Sequence, residues 1–162
     1  MFKLILLFLS FSTLASANVK INSIIKLENN VPDECGLSFL IETKNFSYNA
    51  AVSIKKLDSK DTLSIFKVKS KSSIENADLI TSASTISNLL DKKEFKDKSL
   101  KFFGATPQDS MTFFFQDLLI NGGKLIINKT PYEIQGPIDS KVRLEYLFCT
   151  GEMFLPNYEK ND

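Results

Sequence analysis

The chain has 162 residues, 43% of them hydrophobic, so it is long enough for one domain with a substantial core. It contains no histidine, which excludes Ser-His-Asp and Cys-His catalytic groups and every zinc site that needs histidine. Its 20 basic and 19 acidic residues nearly balance, which argues against a general polyanion binder but is compatible with a local basic patch.

Residues 1–17 have the features of a secretory signal peptide. Lys3 supplies the positive start, Leu4–Leu14 is apolar apart from Ser and Thr, and Ala15-Ser16-Ala17 is a small-x-small cleavage site. The apolar run is shorter than the roughly 20 residues that a membrane-spanning helix needs, which favours cleavage over an uncleaved anchor. We therefore expect residues 18–162 to form a single exported domain without a membrane span.

The first half of the mature chain predicts a series of β-strands, because short apolar runs alternate with turn residues. The expected strands are 19–28, 37–43, 50–57, 62–71, 77–80 and 99–105. The sequence NNVPDE at 29–34 predicts a loop, and 45–49 a turn. Ile65 and Phe66 are adjacent and break the alternation, which suggests a β-bulge or a change of buried face.

A helix is predicted next, with Thr106 as its N-cap and Pro107 at its first position. Apolar residues then recur at helical spacing from Met111 to Leu119, and Asn121-Gly122-Gly123 ends the helix.

The segments KLIIN and PYEIQ follow as a hairpin around Lys129-Thr130, and Gly136-Pro137 breaks the chain. Asp139 or Ser140 caps a final helix that is expected to end at Gly151. Strands first and a helix–hairpin–helix unit last predict an α+β fold with the helices on one sheet face.

Cys35 and Cys149 are the two cysteines of the chain. In an oxidising compartment, an even number of cysteines indicates disulfide bonding, and only one pairing within the chain is possible. A redox pair or a metal site is disfavoured because there is no CxxC spacing and no histidine. We expect one structural disulfide between the first core strand and the last helix.

Arg143 is the single arginine in a chain that otherwise uses lysine. An arginine fork binds carboxylates with two hydrogen bonds, which lysine does not. Asp139 lies four residues earlier, so a helical Asp139–Arg143 clamp is one interpretation. The other is an anion-binding residue that faces a groove, with Tyr132 or Tyr146 beside it.

Three further groups have both a functional and an ordinary interpretation. The phenylalanines at 113–115 could line a pocket but fit a helical core better. The acidic residues of the last unit could supply a catalytic pair of carboxylates, as glycosidases use, although such residues are common on surfaces. They are Glu133, Asp139, Glu145 and Glu152.

The third group is a set of lysines on the predicted hairpin of residues 50–71. They form either a basic strip for an anionic partner or a solvated face that prevents edge-to-edge aggregation. They are Lys55, Lys56, Lys60, Lys67, Lys69 and Lys71.

Neither a glycine-rich phosphate loop nor a metal-ligand pattern is present in the sequence, so we expect no cofactor and no metal. The sequence predicts a soluble periplasmic or secreted binding or accessory factor of the bacterial envelope, with an envelope protein or an anionic glycan as partner. Two alternatives stay open at this point. One is a hydrolase that uses only carboxylates, and the other is a secreted effector or inhibitor that targets another protein.

Overall fold

The computed structural model describes residues 18–57, 62–86, 93–94, 99–105 and 108–153. The strands and helices, in chain order, are β1 (Asn18–Glu28), β2 (Val31–Glu42), β3 (Ser47–Lys56), β4 (Thr62–Ser70), β5 (Ala77–Ile80), β6 (Thr85–Ile86), β7 (Lys93–Glu94), β8 (Ser99–Ala105), α1 (Gln108–Asn121), β9 (Gly122–Ile127), β10 (Thr130–Gln135) and α2 (Ser140–Met153).

Two antiparallel sheets form the framework. The larger has six strands in the order β1-β2-β3-β4-β8-β7, and the smaller has four in the order β10-β9-β5-β6. Helix α2 lies on β1 and β2, and α1 contacts β9. The predicted α+β fold, with strands first and a helix–hairpin–helix unit last, is confirmed.

The core lies on one face of the six-stranded sheet. Side chains alternate between the faces of a strand, so every second residue of β2 points to the core. These β2 residues face their β3 partners in register, and all of them are buried: Cys35, Leu37, Phe39 and Ile41 on β2, and Ile54, Val52, Ala50 and Tyr48 on β3.

Strand β2 begins earlier than the sequence indicates, so the predicted loop over 29–34 is wrong beyond its first two residues. Asn29 and Asn30 have positive φ angles of 52° and 63° and form a tight two-residue turn, a conformation that Asn tolerates better than most residues. Pro32 is accommodated close to the start of β2, and the register shifts between Lys26 and Leu27.

The expected bulge at Ile65 and Phe66 is absent from the β3–β4 pair. The register runs without a shift, with Ile65 opposite Ser53 and Phe66 opposite Val52. Both residues are buried because each face of β4 is covered at this level. Two buried faces, rather than an extra residue, explain why the alternation of apolar residues breaks down.

Helix α1 ends at Asn121, as predicted, and Gly122 adopts a φ of +76°. A Cβ there would lie 2.0 Å from the Ile134 carbonyl oxygen, so glycine is required. The predicted N-terminal signals at Thr106 and Pro107 lie outside the described residues.

The following hairpin turns at Asn128 and Lys129, one residue earlier than expected, and both have positive φ. Helix α2 starts after Asp139 and continues past Gly151 to Met153, so its predicted end is two residues short. A Cβ at Gly151 would meet no atom within 4 Å, and this glycine does not stop the helix.

Candidate functional site

A disulfide joins Cys35 on β2 to Cys149 on α2, as the sequence predicts. The two Cα atoms are 5.8 Å apart, and 114 residues separate the cysteines along the chain. Two more contacts fix the same helix. The Ser23 hydroxyl of β1 donates to the Glu145 carboxylate, and the Lys56 ammonium of β3 donates to the Met153 carbonyl oxygen at 3.0 Å. Helix α2 is therefore held to the sheet along its length.

Three large apolar residues are exposed on the outer side of α2, together with Lys141 and Glu152. Leu144, Leu147 and Phe148 are all more than half exposed, and Phe148 reaches 68%. The β1–β2 hairpin adds two exposed apolar residues, Ile25 and Leu27, which alternate onto the same face of β1. We call these five residues the α2 face. Val31 is also exposed, but it pairs with Glu28 and lies on the other face of the sheet.

The two parts of the α2 face are neighbours. Ile25 lies opposite Cys35 in the β1–β2 register, and Cys35 is bonded to Cys149, the residue after Phe148. Glu145, one turn before Phe148, contacts Ser23, so this side of the helix faces β1. Ile25 and Phe148 therefore border the same surface.

Strand β1 is also an edge strand. It has 11 residues and pairs only with β2 among the described strands, so its outer backbone groups have no strand partner there. Unpaired lysines on an edge strand discourage pairing with another chain, but both lysines of β1 are already in ion pairs, Lys20 with Glu42 and Lys26 with Glu34. Such an edge can accept an added strand from another chain.

Asp139 caps α2, and its carboxylate accepts hydrogen bonds from the backbone N–H groups of Lys141 at 2.9 Å and Val142 at 3.4 Å. No ion pair between Asp139 and Arg143 is present among the described residues. Arg143 is half-buried, and its Nε lies out of contact with solvent without a hydrogen-bond partner. An anion-binding role for Arg143 stays a prediction.

The four acidic residues of the last unit do not converge on one cleft. Glu133 is exposed and paired with Lys124 at 3.1 Å, whereas Asp139 is the α2 cap. Glu145 binds Ser23 and lies 3.8 Å from Lys141, and Glu152 is exposed near the end of α2. A shallow groove of about 840 Å³, lined mostly by β9 and β10 near the end of α1, contains Glu133 but none of the others.

The phenylalanines of α1 divide between core and surface. Phe114 and Phe115 are buried, and Phe115 stacks on Tyr146 with 4.6 Å between the ring centroids. Burial raises the pKa of Tyr146 far above its ordinary value. Phe113 is 65% exposed. The prediction of an ordinary helical core therefore fits two of the three.

The lysines of the β3–β4 hairpin separate into structural and unpaired members. Lys55 pairs with Asp33 at 3.4 Å, and Lys56 holds the end of α2. Lys69 and Lys71 have no ion-pair partner in the described part of the chain, and Lys60 lies outside it. Lys55, Lys67 and Lys69 share one face of the sheet in the β3–β4 register, and the choice between a basic strip and a solvated face stays a prediction.

A buried carboxylate lies on the second face of the six-stranded sheet. Glu34 is 5% exposed and accepts hydrogen bonds from Ser53 Oγ at 2.6 Å and from Lys26. Burial alone would raise the pKa of Glu34, but the bonds from Lys26 and Ser53 and the charge of Lys67 bring it below its ordinary value. The sequence placed Glu34 in a loop and did not indicate this cluster.

Across the described residues, no group of three or more metal-ligating side chains could hold a metal ion. No helix in that part of the chain is both long and apolar enough to cross a membrane. No family model matches the sequence, and neither a characterised protein nor a solved structure is significantly similar to it.

Proposed function

We propose that this chain is an exported binding factor of the bacterial cell envelope that holds another protein on its α2 face. The observation that carries the proposal is the group of large apolar side chains left exposed on α2 and on the adjoining β1–β2 hairpin. Exposed apolar residues that lie together on a folded protein mark interaction surfaces, whereas single ones need no explanation.

The partner that fits this surface is an extended, apolar segment of a protein. Such a segment can pair with the outer edge of β1 and place its side chains against Ile25 and Phe148. Lys20 and Lys26 are each neutralised by a glutamate, so the edge carries little charge that would repel an apolar strand.

Export is supported by the signal-peptide features of residues 1–17 and by the disulfide, which is typical of oxidising compartments. The rival hydrolase has less support, since it needs two carboxylates in one cleft. In the described residues, Glu133 and Glu145 each have a separate basic partner, and Asp139 is committed to a helix cap.

The proposal can be tested by placing a photo-crosslinking phenylalanine analogue at position 148 of the full chain in living cells. The matched control is the same analogue at Phe113, because the two side chains are exposed to 68% and 65% on helices of equal length. We expect a discrete adduct with one envelope protein from position 148 and none from position 113.

The adduct also identifies the occupant. An adduct of twice the chain mass would show self-association and contradict the proposed partner. The same pattern of adducts from both positions, or none from position 148, would likewise overturn the proposal.

Proline substitutions test the strand pairing separately. Neighbouring residues of a strand direct their N–H groups to opposite sides, so of Ile24→Pro and Ile25→Pro only one removes a bond to β2. The other removes an N–H from the outer edge. We expect one variant to be destabilised, and the more stable variant to lose the adduct formed by the analogue at position 148. If that variant keeps the adduct, the partner does not pair with β1.

A further inference from the structure

A groove with a different character lies at the end of the six-stranded sheet, where the β2–β3 turn meets the end of β4. Its volume is about 530 Å³, within the ~300–1,000 Å³ that is typical of small-ligand pockets. It is lined by Glu42, Thr43, Lys44, Asn45, Phe46, Ser47, Asn49, Lys69, Ser70, Lys71 and Ser72. We call it the lysine groove.

The groove concentrates uncompensated positive charge. Lys44, Lys69 and Lys71 are exposed and form no ion pair with any described residue, whereas Lys20, Lys26, Lys55, Lys124 and Lys141 all lie within 4 Å of a carboxylate. The one acidic residue of the lining, Glu42, is already neutralised by Lys20 at 3.0 Å. Three ammonium groups in one concave surface attract an anion.

The same groove carries an aromatic platform on a fixed turn. Phe46 is 48% exposed, and its ring stacks on Tyr48 at 6.4 Å with an interplanar angle of 25°. Its backbone N–H donates to Thr43 Oγ1 at 2.9 Å, and its carbonyl oxygen accepts from the Thr43 N–H at 2.9 Å. Tyr48 is itself buried against Tyr132, with ring centroids 5.9 Å apart.

Amide and hydroxyl groups complete the lining. Asn49 lies directly opposite Lys69 in the β3–β4 register, so the two side chains share a face. Asn45, Ser47 and Ser72 add further donors and acceptors. A flat apolar ring, neutral polar groups and point charges together are the chemistry that recognises a sugar ring bearing an acid group.

We propose that the lysine groove binds an anionic saccharide. The saccharide lies across the end of the sheet, where one ring packs its C–H face on Phe46 and a carboxylate or sulfate meets Lys69 and Lys71, beside the amides of Asn45 and Asn49. Nucleic acid fits less well, because no second aromatic ring in the lining continues the platform for a neighbouring base. The site is independent of the α2 face and of the function proposed there.

Titration calorimetry on the mature, oxidised protein tests this site with trigalacturonate and, as the neutral counterpart, maltotriose. We expect trigalacturonate to bind and maltotriose not to bind. Phe46→Ala and the double variant Lys69→Gln/Lys71→Gln should each bind trigalacturonate at least about tenfold more weakly. The double variant Lys129→Gln/Lys141→Gln has the same net charge and should bind as the parent does.

A sulfated disaccharide, titrated in the same way, shows whether the groove prefers a sulfate or a carboxylate. Binding of either saccharide more tightly than maltotriose supports the proposal. All of the substituted residues are exposed, so thermal melting should show that each variant folds. Equal weakening in the Lys129→Gln/Lys141→Gln control, full binding by Phe46→Ala, or no binding at millimolar sugar would overturn the proposal. So would tighter binding of a short oligothymidylate that competes with the sugar.

Discussion

Helices α1 and α2 have the same length, 14 residues, but different attachments. Helix α2 is bonded covalently to β2 through Cys149, capped by Asp139, and tied to β1 and β3 by polar contacts. Helix α1 buries two phenylalanines, Phe114 and Phe115, and its Asp117 carboxylate accepts hydrogen bonds from Ser82 Oγ and the Ala83 N–H, both at 2.7 Å.

Both helices expose a phenylalanine, Phe113 on α1 and Phe148 on α2. Phe148 adjoins Ile25 on β1, and its helix is fixed at several levels. A rigid surface loses less conformational entropy when a partner binds, so the extra attachments of α2 pre-organise its outer side. Under the proposed function, α2 carries the binding surface and α1 serves as the matched control.

The largest effect is expected from removing the disulfide. The double variant Cys35→Ser/Cys149→Ser should lower the free energy of unfolding by up to roughly 4–5 kcal/mol, the chain-entropy value for so long a loop. Urea denaturation of the oxidised parent and the variant measures the difference. Equal stability of the parent and the variant would show that the covalent attachment of α2 contributes little. Two alkylated thiols in the unreduced parent would show that the attachment is not formed.

Loss of the buried carboxylate should come second. Glu34→Ala leaves the Ser53 hydroxyl buried without its acceptor, and we expect a loss of about 1–3 kcal/mol of unfolding free energy. The matched control is Glu133→Ala, which removes an exposed ion pair and should cost well under about 1 kcal/mol. If the two variants are equally stable, the hydrogen bonds of Glu34 contribute little to the stability of β2, the strand that carries Cys35.

Removal of the α2 cap should have a smaller effect. Asp139→Ala frees two backbone N–H groups at the start of the helix, and a lost N-cap costs about 1 kcal/mol. Asp139→Asn retains an acceptor and should recover most of the loss. Thermal or urea denaturation distinguishes them, and an Asn variant as unstable as the Ala variant would contradict the capping role.

Asp117 predicts a pH effect that belongs to α1. Hydrogen bonds from Asn121, Ser82 and the Ala83 N–H hold the pKa of Asp117 far below its ordinary value. Its contribution to stability is therefore complete above about pH 4, the ordinary range of an aspartate, and declines as the pH falls towards the lowered value. Asp117→Asn should be less stable than the parent at pH 7, and the difference should narrow below pH 4. A difference in stability between the two proteins that does not change with pH would contradict these hydrogen bonds.

The smallest effect is expected at Arg143. Its Nε is shielded from solvent without a hydrogen-bond partner, so Arg143→Lys removes a buried N–H group that forms no hydrogen bond. We expect a change in unfolding free energy of less than about 1 kcal/mol. A loss of about 1–3 kcal/mol would instead support the bidentate carboxylate clamp suggested by the sequence.

The fold class and the disulfide could be predicted because their signals are short sequence patterns and the number of cysteines. A glycine such as Gly122 ends a helix through its own backbone conformation, whatever surrounds it, and two cysteines allow only one pair. The sequence indicates a loop at Glu34 because Pro32 and Asp33 have turn-like composition, and only the pairing with β1 shows that β2 extends back to Val31.

The spacing of the apolar residues in α2 is a sequence signal for the α2 face. Val142, Tyr146 and Cys149 are the buried side of the helix, and Leu144, Leu147 and Phe148 therefore lie on the other side. When large apolar residues also lie on the side of a helix that faces away from the core, the helix is either buried all round or part of an interaction surface. The lysine groove had no such signal, because Phe46 and Lys71 meet only through the pairing of β3 with β4.

The most direct measurement of the central claim is the affinity of the parent, Phe148→Ser and Phe113→Ser for the partner captured at position 148. All three proteins should have nearly the same stability, since both phenylalanines are mostly exposed. We expect the Kd to rise at least about tenfold for Phe148→Ser, as for an interface hot spot, and to stay within about twofold of the parent for Phe113→Ser. Equal affinities for the two variants would contradict the claim that α2 carries the binding surface.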